Sequence, residues 1–142
     1  MNTVSKLILI LLIGCSEKKP NVQEAKFSLD GGSYPVTINV IITSDIVKAA
    51  QYIRDNLDES VETSDFQGVA GITFDFQDGK PGIIWLESAT FDPESISIIN
   101  HELLHATINT MRYSGILPSD SSEEAYTYQL QHYSKQFYSK IK

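Results

Sequence analysis

Between Asp92 and Gly115 the chain reads as one long helix, and that segment limits the fold more than any other. Asp92 can accept the first free backbone N–H groups, Pro93 pre-sets φ at the first helical position, and Glu94 sits where the helix dipole favours an acid. Gly115 and Pro118 stop the helix near Tyr113. About twenty helical residues span roughly 30 Å, the width of a small domain. The remaining elements must therefore pack along this rod and cover its apolar stripe.

Those elements are legible in turn. Val36, Ile38, Val40 and Ile42 alternate as in a strand, and Pro35 starts it. Thr43-Ser44-Asp45 offers N-caps for an amphipathic helix carrying Ile46, Val47, Ala50, Ile53 and Leu57 and ending near Asp58. Ile72, Phe74 and Phe76 alternate again, Gln77 to Gly82 has turn chemistry, and Ile83 to Leu86 completes a hairpin whose second strand is expected at an edge. After the long helix, Ser119 to Glu124 caps a third helix that nearly reaches the C-terminus. The order strand, helix, strand, strand, helix, helix predicts a small α+β domain over residues 34–142 with a three-stranded sheet.

The N-terminus reads as an address. Lys6 precedes the apolar run Leu7 to Ile13, which is too short to span a membrane, and Gly14-Cys15 follows. Leu12-Ile13-Gly14-Cys15 resembles the lipobox of bacterial lipoproteins. That resemblance implies a signal peptide over 1–14, lipidation of Cys15 and an anchor at the membrane facing out of the cytoplasm. Residues 15–33, rich in Lys, Glu, Ser, Asn and Gly, are expected to be a tether. Cys15 is the only cysteine, so no internal disulfide can form. A net charge of −7 and the absence of a dense basic cluster exclude a nucleic-acid-binding surface of the usual kind.

The chemistry concentrates on the long helix, at His101-Glu102-Leu103-Leu104-His105, which holds two of the chain's three histidines. Residues four apart share a helical face, so both imidazoles can address one ion. Glu102 projects one position round and can reach a water there. A hydrolytic zinc site needs a third protein ligand. His132, Glu123, Glu124 and Asp120 are the downstream candidates, and a carboxylate on the next helix is the natural one. The metzincin extension is absent, because Ile108 and Met111 stand where its glycine and third histidine would be. Tyr113, Tyr126, Tyr128 and His132 are candidate oxyanion donors, though aromatic residues at helical spacing usually serve packing.

The segment Ile96 to Tyr133 resembles the gluzincin-type zincin metallopeptidases, in particular small bacterial and phage-associated ones with H-E-x-x-H followed by a Glu-Ala-x-x-Tyr-like stretch, here Glu124-Ala125-Tyr126-Thr127-Tyr128. The resemblance implies Zn2+ held by His101, His105 and Glu124, with Glu123 as rival for the third place. Glu102 would be the general base, and a peptide or protein the substrate. It also implies that the strand before the active helix, Ile83 to Glu87, pairs with an extended peptide; the bland reading makes it a core strand around Trp85. Other first-row divalent ions suit the same donors. The alternative function is a non-catalytic envelope lipoprotein that binds a partner. Its motif would be a structural or vestigial metal site.

Overall fold

The computed structural model describes residues 21–77 and 79–142. The expected signal peptide and Cys15 lie outside them. The chain runs β1 (Asn21–Val22), β2 (Ala25–Asp30), β3 (Thr37–Ile42), α1 (Ile46–Asn56), a 3-10 turn (Thr63–Phe66), β4 (Gly71–Phe74), β5 (Gly82–Leu86), β6 (Ala89–Thr90), α2 (Pro93–Tyr113) and α3 (Glu123–Lys140). It is an α+β arrangement, as its element order predicts.

The main sheet has four strands in the order β2-β3-β5-β4 rather than the expected three. The extra strand is β2, inside the stretch expected to be a tether. It pairs antiparallel with β3 from Ala25↔Ile42 to Asp30↔Thr37. Its alternation explains this: Leu29 is fully buried, Ala25 and Phe27 pack against the core, and Lys26, Ser28 and Asp30 face out. Upstream, Asn21 and Val22 pair with Thr90 and Ala89 in a two-stranded ribbon.

A second correction concerns β5, which is interior and not at an edge. It lies parallel to β3, with Ile38↔Gly82 to Ile42↔Leu86 in register, and antiparallel to β4 on its other side. Every residue of β5 is buried, as expected for a strand covered on both faces. Two cores result. Ile38, Val40, Ile42, Ile84 and Leu86 meet Ile99, Leu103 and Ala106 of α2 and Tyr133 and Phe137 of α3. On the opposite face Ile41, Ile83 and Trp85 meet Ala49, Ala50 and Ile53 of α1. Trp85 closes this second core, donating its indole N–H to Thr43 O at 2.9 Å and meeting Phe66 edge-on at 4.9 Å between centroids.

Helix α2 begins where the sequence places it. Asp92 caps it by accepting from Ser95 N at 3.0 Å, and Pro93 opens it. Helix α3 returns antiparallel, tied to α2 by a buried Thr110–Tyr133 hydroxyl pair at 2.7 Å and by Tyr138 donating to Asn100 Oδ1 at 3.0 Å. No described helix is long and apolar enough to cross a membrane.

Candidate active site

Burial of Ile99, Leu103 and Ala106 against the sheet fixes the rotation of α2 and leaves His101 and His105 on its exposed face. The two imidazoles converge, with Nε2 atoms 3.0 Å apart and rings edge-on at 4.6 Å between centroids. Two nitrogens bound to one tetrahedral ion at about 2.0–2.1 Å stand roughly 3.3 Å apart. The separation is thus close to that of two ligands on one ion.

Glu102 points inward instead. It is only 5% exposed, and its Oε2 accepts from Thr73 Oγ1 of β4 at 2.7 Å. The same hydroxyl lies 3.0 Å from Glu102's own main-chain oxygen. The stem of Glu102 runs against the strand at Gly71, where an added Cβ would stand 3.0 Å from Glu102 Cγ. Among the described residues the buried side-chain polar atoms without a partner are Ser114 Oγ and Gln129 Nε2. One carboxylate oxygen, Oε2, is anchored by Thr73, and Oε1 has no hydrogen bond among the described residues. Thr73 is the site residue that the sequence did not reveal, since one threonine within an Ile-Thr-Phe alternation carries no signal of its own.

The third-ligand candidates are not gathered at the histidines. Glu123 and Glu124 are exposed in the first turn of α3, beside the end of α2: Ser122 Oγ donates to Leu117 O at 2.8 Å and Tyr126 to Ile116 O at 2.9 Å. Helix α2 continues to Tyr113, and the eight residues beyond His105 span about 12 Å. Asp120 is exposed in the connection between the helices. His132 turns to the opposite side, its Nε2 lying 3.1 Å from Asp30 O and 3.2 Å from Asp30 Oδ1. Among the described residues no three His, Cys, Asp or Glu side chains are close enough to hold a metal ion. Two imidazoles thus fit zinc, and the carboxylate expected to complete the set stands elsewhere.

Among the described residues none of the candidate oxyanion donors is hydrogen-bonded to the histidines. Tyr113 packs on Phe76 at 5.2 Å, Tyr126 bonds Ile116, His132 bonds Asp30, and Tyr128 stands exposed on α3. A cavity of about 960 Å³ between α3 and the β2–β3 turn contains Tyr128 and His132 but none of His101, Glu102 and His105. The motif instead occupies an open face beside β4, an end strand of the sheet. The opposite end strand, β2, is partly closed. The Gln136 amide accepts from Asp30 N and donates to Asp30 O, both at 3.0 Å, as a neighbouring strand would. No protein-family model, curated protein or solved structure matches this chain.

Proposed function

We propose that the protein is a zincin-like, zinc-dependent peptidase, tethered to the cell envelope through a lipidated Cys15. The observation that carries this reading is the arrangement of the motif. His101 and His105 converge to 3.0 Å in the open, while the carboxylate between them is buried and held by the neighbouring strand. A purely structural metal site has no use for such a carboxylate, whereas hydrolysis needs a base.

Bound between His101 and His105, zinc would polarise a substrate carbonyl and acidify a water molecule. Glu102, its Oε2 held by Thr73, would be the base that takes the proton of that water and gives it to the departing amine. Peptide bonds are the preferred target because an end strand flanks the motif, and an extended main chain pairs with such an edge. That strand is β4. The expected Ile83–Glu87 segment cannot take the role, being paired on both sides.

One observation favours the non-catalytic reading: Glu123 and Glu124 lie beyond the end of α2, which runs about two turns past His105, and two imidazoles alone make a weak site. Completion by Glu124 would require the first turn of α3 to fold back along the final turns of α2. Peptide-library cleavage by the zinc-loaded protein, with Glu102→Gln as control, separates the readings. Cleavage abolished by Glu102→Gln supports the peptidase, and a zinc-bound chain that cleaves nothing supports the binding protein.

A further inference from the structure

We infer that Thr73 is a positioning residue that sets the orientation of Glu102 from the end strand β4. The inference rests on the peptidase reading and adds a residue to it. A glutamate on a helix has three side-chain torsions and several low-energy rotamers, so a base at this position needs a partner to keep it productive. The only hydrogen bond to the Glu102 carboxylate among the described residues is the 2.7 Å contact from Thr73 Oγ1. That hydroxyl also stands 3.0 Å from the main-chain oxygen of Glu102. It therefore registers the carboxylate against its own helix backbone as well as against the sheet. The β-branched side chain is itself stiff about χ1. Gly71, two residues earlier on the same face of β4, leaves the space through which the Glu102 stem passes.

The strand thus holds head and stem of the base and leaves Oε1 without a hydrogen bond of its own. Because Thr73 uses its side chain for this, the outward main chain of β4 stays available to a peptide. Loss of the hydroxyl should consequently lower turnover without changing substrate affinity.

The test compares Thr73→Val, Thr73→Ala and Thr73→Ser in the zinc-loaded full chain, by steady-state kinetics and by crystal structures. The expected result is a kcat lower by about 10–100-fold in the Val and Ala variants, the usual cost of removing a partner that orients a site group. KM and zinc content should be unchanged, and Ser should restore both kcat and the Glu102 conformation. Unchanged kcat, no rescue by Ser, or a Glu102 carboxylate that keeps its place in Thr73→Val and Thr73→Ala would overturn the inference. If the wild-type protein binds zinc and cleaves nothing, the peptidase reading fails by itself. The crystal structures still decide whether Thr73 holds Glu102.

Discussion

His101 Nε2 and His105 Nε2 lie 3.0 Å apart on the exposed face of α2, while the nearest-numbered acids of α3, Glu123 and Glu124, sit beside Ile116 and Leu117. The distance follows from helix length. Residues level with His105 on the antiparallel α3 lie between Tyr133, whose hydroxyl meets Thr110, and Tyr138, whose hydroxyl meets Asn100. Glu124→Ala is therefore expected to leave zinc content unchanged in this arrangement, and His105→Ala to abolish it. Atomic absorption on the purified variants checks both; loss of zinc from Glu124→Ala would show that α3 packs differently when metal is bound.

Gly71 is a point of close approach between β4 and α2. A Cβ there would stand 3.0 Å from Glu102 Cγ and Leu86 Cδ2 and 3.1 Å from Ile98 Cγ2, closer than such atoms normally pack. Gly71→Ala should cost about 1–3 kcal/mol of stability through overpacking. It should also displace Glu102. Denaturant melts measure the first effect and peptide cleavage the second.

Thr110 and Tyr133 are both fully buried and hydrogen-bonded to each other. Burial, the larger influence, pushes the Tyr133 phenol above its ordinary value of 10.0. Thr110→Val strips the hydroxyl pairing at the α2–α3 contact. The expected loss is about 1–3 kcal/mol, the usual cost of an unsatisfied buried polar group, read as a lower denaturation midpoint at unchanged m-value.

The β2–β3 turn is fastened by Asp30. The Gly32 N–H, donating at 2.9 Å, and then His132, at 3.2 Å, hold its carboxyl below the ordinary 3.8. A carboxylate whose folded-state value is depressed contributes stability above its unfolded value and loses it as pH falls through the folded one. Amide exchange over residues 31–36 should therefore accelerate below about pH 4, relative to the exchange expected for an unprotected chain at each pH. Asp30→Asn should remove that pH dependence, which NMR or mass-detected exchange can read.

The sequence made some elements legible and hid others for physical reasons. The Asp92-Pro93 cap and the Gly115 stop define α2 because both act locally, within one turn. The strand β2 was hidden because Lys26, Ser28 and Asp30 suggest a polar tether, although Ala25, Phe27 and Leu29 alternate with them. The place of β5 was readable in principle: Ile83-Ile84-Trp85-Leu86 lacks polar alternation, which suits an interior strand covered on two faces. Motif spacing brought His101 and His105 together, since residues four apart meet on any helix. Thr73 and the position of Glu124 depend on how separate elements pack, which no local pattern encodes.

The most direct measurement is the zinc content of the purified chain beside His101→Ala, His105→Ala and Glu102→Gln variants, each shown to be folded by circular dichroism. The account predicts about one zinc per chain in the wild type and in Glu102→Gln, and none in either histidine variant. A folded wild-type chain that takes up no zinc on reconstitution, or histidine variants that retain it, would contradict the account at its centre.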